Sequence, residues 1–392
     1  MNWLQNKLFT KKVLTYIFFL FLFFYYRIVE INRPLWGDEL ITLKTLNSNP
    51  LLNPFYAGVS TNLPLFYYLI KIYDLVTLNF VNLRSLNILV AIATILFVFK
   101  KYNFISNFQK TVLVLFLAFS PIQIYYSLEL RTYLLAQFLI ILNYYYLTKR
   151  EFNKWYWLSL IGLLLTHYAC YIYILASFLY LVIFRKIDKK TYVNFLLIAL
   201  AGIIILFFVS NNPGFKDSTS NSILAGDLAG ISTNNLVDNF LKLREVLTIY
   251  YNFGLHYYRM ENSYLSIFKK FMQILLLVYG FYILFRTKKF SEFEIQTFFI
   301  FLLAILGSIM TDLIGIMPFG GRHIFPFHFL YLILLTNLIS KISEINKVVS
   351  YLIITIILAS YLIYNTCLSF NLKDFVGNND PQGVLISKCI GK

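Results

Sequence analysis

The chain has 392 residues, of which 59% are hydrophobic and only 13% charged. Soluble domains average about 25% charged residues, so this balance excludes an ordinary soluble enzyme and points to a polytopic membrane protein. The net charge of +16 does not call for nucleic acid, because the basic residues gather in short segments between apolar runs, the pattern of cytoplasmic membrane loops.

In chain order, Lys7, Lys11 and Lys12 precede an apolar run from Val13 to about Val29. No small-residue cleavage site follows, so it reads as an uncleaved first span with a cytoplasmic amino terminus. A mixed loop over residues 30–64 comes next. Within it Gly37-Asp38-Glu39 opens a short helix lying at the membrane surface. The following apolar runs are Leu65–Phe80, Ser85–Phe99, Thr111–Tyr126, Tyr133–Leu147, Trp155–Tyr171, Ile172–Phe184 and Val193–Val209. Residues 210–262 form the largest polar loop, rich in Asn, Ser, Asp and Gly. Tyr264–Phe285, Ile295–Thr311, Ile324–Ile339 and Val348–Leu368 complete the series, before a polar tail over 369–392.

The expectation is therefore an all-α transmembrane bundle of about 11–13 spans, with one domain over residues 1–368. Placing each basic cluster in the cytoplasm puts residues 30–64, 210–262 and three short corners on the outer face. That threading holds if Leu65–Phe80 lies at the outer surface or re-enters rather than crossing. Cys170, Cys367 and Cys389 have no disulfide or zinc-like spacing.

The outer-face segments carry most of the ionisable residues outside the basic clusters. They are Asp38 and Glu39; Ser127-Leu128-Glu129-Leu130-Arg131-Thr132-Tyr133; Thr166-His167-Tyr168; Asp312; and Gly320-Gly321-Arg322-His323. Carboxylates, arginines and histidines on one membrane face suit chemistry on a lipid phosphate. The planar arginine fork binds phosphate oxygens in bidentate fashion, and a carboxylate can take a proton from an incoming hydroxyl. Each residue also has a plainer reading. Asp38 can be an N-cap and Glu39 a first-turn acid. Arg131 and Arg322 can be interfacial anchors. His167 can be a hydrogen-bonded structural histidine.

At these residues the chain resembles the polytopic C-type glycosyltransferases, in the branch of the protein O-mannosyltransferases and the lipid A aminoarabinose transferase. The likeness rests on Arg33-Pro34-Leu35-Trp36-Gly37-Asp38-Glu39 after the first span and on Leu63-Pro64-Leu65-Phe66-Tyr67-Tyr68-Leu69 followed by Asn82-Leu83-Arg84-Ser85-Leu86. It continues in Ser120-Pro121, the Ser127–Tyr133 corner, Leu165-Thr166-His167-Tyr168 and, more loosely, Arg322-His323-Ile324-Phe325-Pro326. The chain departs from larger members in lacking a sizeable outer carboxyl-terminal domain. The resemblance implies inverting transfer of a sugar from a polyprenyl-phosphate donor to a glycan, lipid or protein acceptor on the outer face. Asp38 would be the general base and Glu39 would orient the acceptor or sugar. Arg131 and Arg322, with Arg84, Tyr133, His167 and His323, would bind the donor and its phosphate. No Asp-x-Asp accompanies these residues, so no metal or cofactor is expected. A lipid-linked sugar flippase and a polysaccharide polymerase or ligase are the rival readings.

Overall fold

The computed structural model describes residues 17–29, 31–32, 35, 37–47, 63–77, 82–185, 187–210, 275, 278–279, 282, 290–313 and 325–371. Their regular structure is all helical, with no strand among the described residues. The helices are α1 (Ile17–Ile28), α2 (Gly37–Asn47), α3 (Pro64–Thr77), α4 (Ser85–Lys101), α5 (Asn107–Phe119), α6 (Pro121–Ser127), α7 (Tyr133–Lys149), α8 (Lys154–Leu164), α9 (Ala169–Phe184), α10 (Lys189–Ser210), α11 (Glu292–Leu313), α12 (His328–Ile345) and α13 (Lys347–Asn371). A 3-10 turn, Phe325–Phe327, leads into α12.

Local chemistry sets the ends of several helices. Ser106 and Gln109 form a reciprocal capping box at the start of α5. Asn153 accepts from Trp155 N and Tyr156 N at the start of α8. Arg150 closes α7 in the left-handed region, with φ of 58°. Pro121 opens α6 at its first position, where its missing N–H costs nothing.

From α4 onward the helices pack around one large apolar core, with buried Phe116, Ile140, Tyr144, Tyr173, Ile300, Phe329 and Ile357 at its heart. At one end Arg150 pairs with Glu292 at 2.8 Å, tying the end of α7 to the start of α11, and Arg185 reaches the same carboxylate. Lys100, Lys101, Lys110, Lys149, Lys154, Lys189, Lys190, Lys341 and Lys347 lie at helix termini on this end. The corners between α6 and α7 and between α8 and α9 lie at the other.

Three features differ from the run-by-run reading or sharpen it. Thr111–Tyr126, read as one span, is two helices bent by 53° at Ser120-Pro121. Trp155–Tyr171 breaks at Leu165–Tyr168, so α8 ends at Leu164 and α9 starts at Ala169. The third concerns α3, whose 14 residues give a length of about 21 Å. Its first turn is tied to the α8–α9 corner by Leu65 N donating to Leu165 O at 2.9 Å. Its last turns meet the start of α4 through Tyr73 Oη and Ser85 Oγ at 2.6 Å. Both anchors belong to the same end of the bundle, so α3 lies across that end rather than running its length.

Among the described residues, Phe325–Ile345 is long and apolar enough by itself to cross a membrane, and α5 with α6 qualifies if the bent pair counts as one span. The loop over 210–262, almost all of Tyr264–Phe285 and the tail beyond Asn371 fall outside the described residues.

Candidate functional site

The site is built around the corner between α6 and α7. All five residues from Leu128 to Thr132 are buried, so their backbone groups need partners inside the protein. Arg131 N donates to Glu129 O at 2.8 Å, closing a tight turn. The other partners come from elsewhere in the chain. Leu130 N donates to Glu39 Oε1 at 2.8 Å. Asn87 Nδ2 donates to Arg131 O at 3.1 Å and also to Glu129 O.

Glu39 sits in the first turn of α2 and is fully buried against Arg84. Arg84 Nε donates to Oε1 at 2.8 Å and Nη2 to Oε2 at 2.5 Å. This is the bidentate fork geometry. Arg84 Nη1 donates to Ile31 O at 2.9 Å, where Asn82 Nδ2 also donates at 2.9 Å. A buried ion pair offsets its desolvation only when the geometry is good and the remaining donors and acceptors are filled. Here the pair draws the chain after α1, the start of α2, the 82–84 connector and the α6–α7 corner into one network. Glu39 and Arg84, both expected among substrate-facing groups, thus face each other and the backbone. Asp38 lies beside Glu39 in the same helical turn, and its side chain falls outside the described residues.

On the other side of the corner, the Arg131 guanidinium carbon lies 5.8 Å from the centre of the Tyr133 ring. Tyr133 and His167 have ring centres 5.2 Å apart, and His167 stacks on Tyr168 at 4.3 Å. Ala169 N donates to His167 Nδ1 at 3.1 Å. That nitrogen is therefore the acceptor, and the ring proton belongs on Nε2. Burial first, and then the charge of Arg131, push the imidazole down to about 3. His167 is a neutral donor beside a buried arginine, not a second cation.

A polar group that the sequence reading passed over lies at the α5–α6 break. Pro121 and the 53° bend release carbonyls at the end of α5. Arg27, fully buried in α1, donates through Nη2 to Ala118 O at 3.1 Å and through Nη1 to Phe23 O at 3.1 Å. Asn365 of α13 donates to Phe119 O at 2.9 Å. The available signals were Ser120-Pro121 and a lone arginine inside an otherwise apolar run.

The structure brings Glu39, Arg84, Arg131, Tyr133 and His167 together at one end of the bundle, and Asp38 precedes Glu39 in the first turn of α2. Arg322, His323, Gly320-Gly321 and Arg33-Pro34 lie outside the described residues. Phe325, close behind Arg322-His323 in sequence, does join this end. Its ring is 4.1 Å from that of Tyr126, and its carbonyl accepts from Gln137 Nε2 at 3.5 Å. No group of three or more His, Cys, Asp or Glu able to hold a metal ion occurs among the described residues. Chemically, a buried guanidinium, a neutral imidazole donor and a phenol make a neighbourhood suited to an anion. Compared with family models, curated proteins and solved structures, the chain matches none.

Proposed function

We propose that this protein is a polytopic membrane glycosyltransferase that moves a sugar from a polyprenyl-phosphate donor to an acceptor on the outer face of a cell membrane. The observation that carries the reading is the meeting of the Asp38-bearing turn, Arg131 and neutral His167 at the bundle end opposite the basic helix termini. The positive-inside bias makes that basic end cytoplasmic, which puts Asp38 and Arg131 outside. Exposed apolar rows support a lipid setting. On α10, Val193, Leu196, Leu197, Leu200, Ile203, Ile204 and Phe207 are all exposed, at the spacing of one helix face. A row of that kind is a liability in water and a requirement in lipid.

In this scheme the acceptor oxygen attacks the anomeric carbon while Asp38 takes its proton. The bond from that carbon to the phosphate oxygen breaks, and polyprenyl phosphate leaves from the opposite face of the sugar. One base and one displacement give inversion without a covalent enzyme intermediate. Arg131 stabilises the charge growing on the leaving phosphate, and His167 contributes a hydrogen bond without adding charge. Arg322 and His323 are assigned to the same phosphate on the strength of the resemblance. Glu39 and Arg84 keep the Asp38 turn and the Arg131 corner in register. The donor, the acceptor and membrane lipids are the partners; nucleic acid is not.

Incubation of purified protein with a panel of polyprenyl-phosphate sugars tests the reading. Release of the lipid phosphate with an acceptor present is expected. Passage of an intact lipid-linked sugar across vesicles, without release, would favour a flippase. The α5–α6 break beside buried Arg27 is the feature that suits that second reading, because interrupted helices line substrate paths in transporters.

A further inference from the structure

We propose that Asn87 is the positioning residue that sets the donor-phosphate site, by holding both carbonyls that flank the corner carrying Arg131. The inference rests on the glycosyltransferase reading above and extends it to a residue on α4 that makes no reacting contact of its own.

A buried corner needs partners for its backbone groups inside the protein. The corner's own backbone bonds are Leu128 N to Tyr125 O at 3.0 Å, the tight Arg131 N to Glu129 O turn of 2.8 Å and Ala136 N to Thr132 O at 3.0 Å. Buried carbonyls need donors, and Glu129 O and Arg131 O both lie in this corner, the first of them already accepting from Arg131 N. Asn87 Nδ2 supplies both, and the side chain is fully buried. One amide nitrogen has two N–H groups, so one side chain serves both oxygens and fixes the distance between them. Leu130 N, between the two carbonyls, is held by Glu39 Oε1 at 2.8 Å. The corner is clasped from α2 on its N–H side and from α4 on its C=O side.

The consequence reaches Arg131 through its own backbone. Its carbonyl is one of the two that Asn87 holds, and its side chain lies against Tyr133, which lies against His167. Freeing that carbonyl lets the guanidinium shift while Glu39 and Arg84 still hold the α2 side. A shift of about 1 Å in a positioned group costs on the order of a hundredfold in rate.

The test compares wild type, Asn87→Ala and the isosteric Asn87→Asp, which at neutral pH has acceptors where the corner needs donors. For both variants KM for the polyprenyl-phosphate donor is expected to rise about ten- to a hundredfold, while KM for the acceptor stays unchanged. The rise should be larger for Asn87→Asp. A merely structural residue would lower the amount of active protein and leave both KM values alone, and that result would overturn the proposal. Hydrogen exchange gives a readout that does not depend on activity. Peptides covering 128–132 should exchange faster in Asn87→Ala, and those covering 133–149 should not. Unchanged exchange at 128–132 would overturn the clasp. If wild type releases no lipid phosphate while the exchange result holds, the glycosyltransferase reading fails and the clasp stands.

Discussion

At the scale of single residues, the buried charges decide what each side chain can do. Glu39 and Arg84 are both buried, and removing one strands the other in a low-dielectric setting. Arg84→Leu or Glu39→Leu alone should lower stability by about 3–5 kcal/mol, read as unfolding in detergent. The double variant should cost less than the sum, since it leaves no orphaned charge. His167 makes a pH-dependent prediction. Its folded value of about 3 lies below the ordinary value near 6.5. Between those values the unfolded chain binds the proton and the folded one does not. Its contribution is therefore complete above about pH 6.5 and is lost as pH falls toward 3. His167→Gln should flatten that part of the stability profile, and an unchanged slope would contradict the neutral assignment. Of the site residues, Arg131, Tyr133 and His167 were legible in the sequence because polar residues at the ends of apolar runs stand out. The partnership of Glu39 with Arg84 was not, because it joins positions far apart in sequence through a single buried contact. Asn87 and Arg27 were hidden for a related reason: each is one polar residue within an apolar helix, and nothing local tells a partner-holding side chain from an interruption.

At the scale of elements, close approach and breaks shape the bundle. Gly307 of α11 lies so near α9 that an added Cβ would come within 2.6 Å of Ile172 Cγ2. Gly307→Ala should destabilise by about 1–3 kcal/mol through overpacking. Ile172→Ala in the same chain should recover part of the loss, and thermal unfolding of both checks it. At the α5–α6 break, Arg27→Met and Asn365→Ala should each leave a carbonyl short of a donor, for about 1–3 kcal/mol. Element existence was largely readable from apolar runs and basic stops. The interruptions were less so. Thr111–Tyr126 read as one span although Pro121 sits within it, because its apolar run is unbroken, whereas the polar Thr166-His167 marked a corner inside the run Trp155–Tyr171. For α3 the sequence left two placements open, and the bonds at Leu65 and Tyr73 favour the one across the bundle end.

At the scale of the whole molecule, the two ends of the bundle have different chemistry. One carries the lysines and arginines of helix termini, with Arg150 and Arg185 converging on Glu292. The other carries the clasped corner, the neutral histidine and the turn that bears Asp38. This asymmetry follows from composition, since charged residues are too few to be spread evenly along the chain. In the glycosyltransferase account it separates an anchoring face from a reacting face. In that account the proposed base, Asp38, is next in sequence to Glu39, whose buried pair with Arg84 cannot take a proton without breaking the corner. The measurement that tests the account most directly is the rate of polyprenyl-phosphate release by purified wild type and Asp38→Asn, in parallel, with donor and acceptor saturating. The account predicts release by the wild type and a loss of at least about a hundredfold in the variant, with equal yield and unfolding temperature. Equal rates from the two proteins would contradict it.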